Sequence, residues 1–383
     1  MFLNLLYMRN FKLFIFCFIF FTISIEAQTE IKAKILINSN GIMKVTEEFS
    51  KINKNDTLLF NRNINLKGNN ELLVDKKIFR NTYYRYLNSD GIINYRINKP
   101  KSSFDNFFFH DSIYFISVGY LGQKKTELNL KKKFNIDITI PEGFTLIYPS
   151  KIDLKDSFYN IPPIIAGNLN KHKYQDFSVI TRKNIQFNKK RMKEILEVIK
   201  KANDHFQIIF SKKEKNLEIV FLPFKSKIAG KSIDNLIVLN ENSLTKPRLN
   251  KKSLIHEILH LWWGDNSIRF DNPVLTEAIC EFLALNYLSK QKDFDYLNYQ
   301  LKYKRERIKN IKNYDLDFNK IKSKNQYKLY CYNLLPVLLW DAKDKFNVEK
   351  EVISFYHINK NSFISKNNSN KLLEKLGIQI SSK

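Results

Sequence analysis

The chain has 383 residues, enough for two domains with substantial cores, and its 64 Lys and Arg against 38 Asp and Glu leave a formal charge of +26. That excess invites a nucleic-acid reading, but the lysines run along the whole chain and no RNP-like, zinc-knuckle or helix-turn-helix pattern accompanies them. The densest runs, Lys131–Lys133 and Lys302–Arg307, read as solvated faces, leaving weak association with an anionic membrane surface as a secondary trait.

Residues 1–27 read as a secretory signal peptide. Arg9 and Lys12 precede the apolar run Leu13–Ile25, which is short for a membrane span and ends near Ala27-Gln28. Export to the periplasm or beyond the cell is therefore expected, with an uncleaved membrane anchor as the competing reading. Of the three cysteines, Cys17 lies inside this run. Cys280 and Cys331 each sit in an apolar helical pattern, so buried free thiols are expected and not a disulfide framework.

Residues 28–180 read as an N-terminal β-rich domain. Ile31–Asn38, Ile42–Phe49, Ile92–Ile97, Ser112–Val118 and Phe134–Ile140 alternate apolar and polar residues, separated by turn signals at Gly41, Gly91 and Pro141–Gly143. This spacing predicts antiparallel strands in a sandwich or saddle, not βαβ units. Helical periodicity begins afterwards, with one long amphipathic helix over Lys189–Ile209. Two strand-like runs follow, Asn216–Leu222 and Asn235–Leu239. His110, His172, His205 and His357 have no motif around them and read as ordinary surface or core residues.

The most informative stretch is KKSLIHEILHLWWGD, Lys251–Asp265. It contains His256, Glu257 and His260 in the H-E-x-x-H pattern, and positions four apart on a helix share a face. Both imidazoles can then reach one metal ion while Glu257 flanks it, and Gly264 is the predicted helix stop. Neutral imidazoles with a carboxylate suit one tetrahedral Zn2+ with a position left for water. The third ligand is sought in VLTEAICEFLALN, where Glu277 opens an apolar run read as a second helix returning antiparallel after a turn at Asp271-Asn272-Pro273. Glu277 is the expected ligand. Glu281, one turn on and on the same face, competes with it and is otherwise expected behind the ligands or in solvent. Further helices are predicted over Phe294–Tyr314 and over Tyr327–Phe346, the latter kinked at Pro336.

On HEILHLWWGD and VLTEAICEF the chain resembles the aminopeptidase N and leukotriene hydrolase family of zinc peptidases, a gluzincin group. His260-Leu261-Trp262-Trp263-Gly264 is similar to its H-x-W-F-G flank, and Leu275-Thr276-Glu277-Ala278 to its L-N-E-G flank. The spacer between His260 and Glu277 is two residues shorter than usual. FNIDITIPEGFTLIYPS and PPIIAGNLNKHKYQDFSVIT resemble the end of the family's N-terminal β-domain, whereas the earlier strands match it less. The resemblance implies a mixed α+β protein, with an N-terminal antiparallel β-domain and a thermolysin-like catalytic domain, mainly helical in its C-terminal half, over residues 181–383. It also implies that the family's large C-terminal helical domain is missing.

The resemblance further implies that His256, His260 and Glu277 bind Zn2+ and that Glu257 is the catalytic base. A catalytic tyrosine aligns with Tyr330, with Tyr332 and Tyr327 as alternatives. The family's G-A-M-E-N strand, whose Glu grips a peptide's free amino terminus, falls on Gly230–Asp234. Gly230 matches, but Ile233 stands where the Glu should be; Asp234 next to it, or less readily Glu241, would have to serve. The implied function is an exported zinc metallopeptidase, an aminopeptidase acting on peptides. An endopeptidase of narrow specificity, or a peptide-binding protein that keeps the fold without activity, are the other readings.

Overall fold

The computed structural model describes residues 29–378 except 50–51, 62–65, 67–69, 79–80, 98–106, 111–112, 117–119, 128–131, 149–162, 175–176, 184, 187, 212–216, 225–229, 234, 246–248, 265–266, 312–320 and 322. The expected signal peptide at 1–27 and the candidate Asp234 lie outside the described residues.

The N-terminal half is built from strands β1 (Thr29–Ile37), β2 (Met43–Phe49), β3 (Thr57–Asn61), β4 (Leu72–Ile78), β5 (Asn81–Tyr86), β6 (Ile92–Ile97), β7 (Phe107–His110), β8 (Ile113–Ile116), β9 (Gln123–Lys124), β10 (Lys132–Thr139), β11 (Thr145–Tyr148) and β12 (Ile164–Gly167). They form three four-stranded sheets, ordered β10-β1-β2-β6, β4-β5-β3-β9 and β11-β12-β8-β7. Pairing is antiparallel except between β1 and β10, which run parallel. The alternation read from the sequence is the alternation observed: along β2, residues are buried and exposed in strict turn.

A fourth sheet links the two halves. Its order is β13 (Leu169–Tyr174), β14 (Phe177–Arg182), β15 (Glu218–Leu222), β17 (Leu236–Asn240) and β16 (Gly230–Ile233). Strands β14, β15 and β17 are parallel neighbours, while β16 closes the edge antiparallel to β17. Apart from Glu218 and Asn240 at their ends, the runs EIVFL and LIVLN are apolar because both faces are covered. Ile219, Phe221, Ile237 and Leu239 face the helical core; Val220, Leu222, Leu236 and Val238 face a second core shared with Ile113, Phe115 and Ile165. Thus β13 and β14, on the N-terminal side of residue 180 for most of their length, are hydrogen-bonded into the sheet of the later half.

The helices are α1 (Lys189–Phe210), α2 (Lys251–Leu259), α3 (Pro273–Lys290), α4 (Phe294–Ile308), α5 (Lys324–Leu329), α6 (Leu335–Ala342), α7 (Val348–Asn359) and α8 (Lys366–Lys375). Helix α3 starts one turn before the expected position: Asn272 caps it by accepting from the Val274 N–H at 2.9 Å, and Pro273 opens the first turn. It is buried nearly all round and forms the axis on which the helical core is built. Helix α2 ends at Leu259, short of Gly264, and the chain continues in tight turns through the fully buried Trp262 and Trp263. A π-turn over Tyr330–Leu334 joins α5 to α6, with the Leu335 N–H donating to the Tyr330 carbonyl five residues back. The irregularity expected at Pro336 therefore comes just before it. Among the described residues no helix is long and apolar enough to cross a membrane.

Candidate metal centre

Helices α2 and α3 bring three side chains to one point. His256 Nε2 lies 3.1 Å from His260 Nε2 and 3.1 Å from Glu277 Oε2, and His260 Nε2 is 3.7 Å from the same oxygen. Among the described residues this is the group able to hold a metal ion. An ion bonded tetrahedrally at about 2.0–2.1 Å keeps its ligand atoms about 3.4 Å apart, so the triangle fits Zn2+. His256 is nearly closed off, but 22% of the Glu277 side chain and 14% of His260 stay exposed, which opens the site on one side.

The tautomers fit as well. Because α2 stops early, the Trp263 carbonyl curls back and accepts from His260 Nδ1 at 2.9 Å. His256 Nδ1 lies 3.0 Å from Glu281 Oε2, a close contact that falls short of a straight hydrogen bond. Both rings thus turn Nε2 toward the common point, the arrangement that second partners impose on metal-binding imidazoles. Burial disfavours charge on the two rings, yet their contacts with Glu277, Glu281 and Cys280 prevail, and both pKa values are raised. Burial would likewise raise Glu277, but His260 and His256 outweigh it and hold the carboxylate well below its ordinary range. The cluster draws in positive charge.

Glu257 sits beside the three without being one of them. Burial raises its pKa, and the neighbouring imidazoles offset that only in part. It lies against edge strand β16: a Cβ added to Gly230 would stand 3.3 Å from Glu257 Cγ, 2.8 Å from Leu239 Cδ2 and 3.0 Å from the Val238 carbonyl. Crowding by Leu239 and the Val238 carbonyl of β17, with Glu257 of α2 next, therefore favours glycine at this position.

The tyrosine at the site is Tyr332, not Tyr330 as aligned. Its hydroxyl donates to Glu277 Oε2 at 2.9 Å, and its ring lies 5.8 Å from that of His256. Tyr330 is buried in the helical core, while Tyr327 packs at that core's margin. The π-turn changes the rotation per residue, and hence which phenol reaches the ligands.

Glu281 is neither a ligand nor in solvent. It is fully buried, and its Oε1 accepts from Lys252 and from Lys304, each at 2.5 Å. Lys304 corrects the reading of Lys302–Arg307 as a solvated face, being only 3% exposed. Its position was legible: Leu297, Leu301 and Lys304 fall at helical spacing on the inward stripe of α4. Glu241, the weaker candidate for an amine-binding carboxylate, is engaged by Arg182 through bonds of 2.8 and 2.7 Å. Cys280 and Cys331 are free and buried, with Cys280 Sγ 3.6 Å from His260 Nδ1.

No protein-family model and no curated protein sequence matches this chain. Solved structures do. An M1 zinc metallopeptidase from Deinococcus radiodurans is similar with a TM-score of 0.56 at 12% identity, over 92% of this chain and 90% of that one. A mutant of it bound to Tyr-ser-ala substrate aligns with a TM-score of 0.55 at 11% identity, over 91% and 90%. Yeast LTA4 hydrolase in complex with bestatin gives 0.61 at 11% identity, over 91% of this chain and 64% of that one. The chain shares their mixed α+β fold.

Proposed function

We propose that this protein is a zinc-dependent metallopeptidase, with His256, His260 and Glu277 holding the ion. The observation carrying this reading is the convergence of those three donors beside a half-buried carboxylate that is not one of them. Support comes also from the fold shared with zinc metallopeptidases, one of them solved with a bound peptide. Zinc bound there supplies a Lewis acid that polarises the scissile carbonyl and acidifies water.

The protein's own groups do the rest. Glu257, its pKa raised by burial, takes the proton of the attacking water and passes it to the leaving amine. Tyr332 donates to the carbonyl oxygen as negative charge develops on it. Among the described residues strand β16 is the edge of its sheet, the side at which an extended peptide can add by main-chain hydrogen bonds. Purified protein is expected to carry zinc at one per chain and to lose peptide hydrolysis on chelation. Glu257→Gln is expected to keep the metal and lose on the order of 10²–10⁴ in kcat. Metal-free protein, or an active Glu257→Gln variant, would overturn this reading.

Within that class, aminopeptidase action is the first reading, with Asp234 as the group for the substrate ammonium. Endopeptidase action is favoured by a specific observation: the described alternative, Glu241, is already committed to Arg182. Comparing hydrolysis of a free peptide with its N-acetylated form decides, since only an aminopeptidase requires the free amine. Export remains part of the proposal on the strength of residues 1–27; N-terminal sequencing of the mature protein from its native host tests it.

A further inference from the structure

We infer that Lys304 is a positioning residue of this site, a single ammonium that ties the carboxylate behind His256 to the π-turn carrying Tyr332. The inference rests on the zinc-peptidase reading above. Lys304 Nζ donates to Glu281 Oε1 and to the Tyr332 carbonyl, both at 2.5 Å. Each acceptor continues to the ligand set by its own route. Glu281 Oε2 lies 3.0 Å from His256 Nδ1, and the Tyr332 hydroxyl donates to Glu277 Oε2 at 2.9 Å.

The chain itself explains why the carbonyl needs such a donor. In a regular helix the Tyr332 carbonyl accepts from the N–H four residues on, and that residue is Pro336, which has none. A partly buried carbonyl left without that bond is costly, and the Lys304 ammonium supplies the donor. Neutralising Glu281 is not a sufficient role for Lys304, because Lys252 already donates to the same carboxylate oxygen. What Lys304 adds is the bond to the turn. Through it, the helix pair that holds the metal ligands and the turn that aims the phenol share one buried anchor.

The test is a double-mutant cycle with metal binding measured alongside. Lys304→Met is expected to lower kcat on the order of 10–100-fold, while Glu281 keeps Lys252 and the zinc dissociation constant, read by chelator competition, changes less than kcat does. Combined with Tyr332→Phe, the loss is expected to be no greater than for Tyr332→Phe alone, since the lysine acts through that phenol. Lys304→Gln keeps an N–H donor without the charge and is expected to recover part of kcat. Multiplicative losses in the cycle, or wild-type kcat in Lys304→Met, would overturn the inference, as would failure of both lysine variants to fold, which marks a purely structural ion pair. A wild-type protein that neither binds zinc nor cleaves peptides overturns the peptidase reading and this inference with it. An active, zinc-loaded wild type beside an indifferent Lys304→Met overturns the inference alone.

Discussion

Tyr332 and Tyr330 are two positions apart and chemically identical, yet it is the Tyr332 hydroxyl that donates to a member of the ligand set, Glu277. Tyr332→Phe is expected to lower kcat by about 10²-fold, the usual cost of removing one oxyanion donor, with metal content unchanged. Tyr330→Phe is expected to leave kcat near wild type. Steady-state kinetics on the two variants, with zinc measured in each, separates the roles; equal losses would return the catalytic role to Tyr330. Glu281 makes a related point at this scale. Its carboxylate is held well below the ordinary range although burial alone would raise it, because Lys252, Lys304 and His256 surround it. A buried charge of this kind persists only with opposite charges held against it, here Lys252 and Lys304.

Among the elements, β16 is tightly constrained by its surroundings. Among the described residues it is the edge strand of its sheet, and its inner neighbours crowd any side chain at Gly230. Gly230→Ala would force Leu239 or the Val238 carbonyl to shift and would press on Glu257. The expected result is a loss of about 1–3 kcal/mol in stability together with reduced kcat. Denaturant unfolding and turnover of the same preparation check both, and wild-type values in each would show that strand and helix can separate freely. Helix α2 displays the same economy of space. Its early end turns the Trp263 carbonyl back onto His260, and the two indoles then seal the turn into the core.

For the whole molecule, the pH dependence of stability is expected to be governed in part far from the metal centre. Glu47 lies on the inward face of β2, fully buried between Val45 and Phe49, and burial lifts its pKa to about 8 despite hydrogen bonds from Gly122 and Tyr95. Local geometry agrees. The Tyr95 hydroxyl has one proton but two acceptors within reach, Glu47 Oε2 at 2.9 Å and the Tyr120 carbonyl at 2.8 Å. Both contacts are met only when Glu47 carries a proton of its own. The folded protein therefore holds this proton more tightly than the unfolded chain does. Its stabilising effect is complete below the unfolded value of 4.5 and is lost as pH rises through about 8. The span amounts to a few kcal/mol, on the order of one per pKa unit. Glu47→Gln keeps an acceptor for Gly122 and is expected to flatten the fall in melting temperature between pH 5 and about 8; an unchanged slope would refute this.

The sequence alone determined several of the strands, the long helices and the pair of imidazoles that share one helix face. Period-2 alternation in β2 and β6 and the four-residue spacing of His256 and His260 are local consequences of how a strand or helix presents its side chains. Tertiary structure decided what depends on contacts between distant segments. It chose Tyr332 over Tyr330 through a π-turn that no periodicity announces, committed Glu241 to Arg182, and turned Lys304 inward onto a carboxylate 23 residues earlier. It also joined β13 and β14 to β15, so that the sheet behind the metal centre draws on both halves of the chain. Hydrophobic pattern says which face of an element is buried; it does not say which partner meets that face, because the partner comes from a segment the pattern treats as independent.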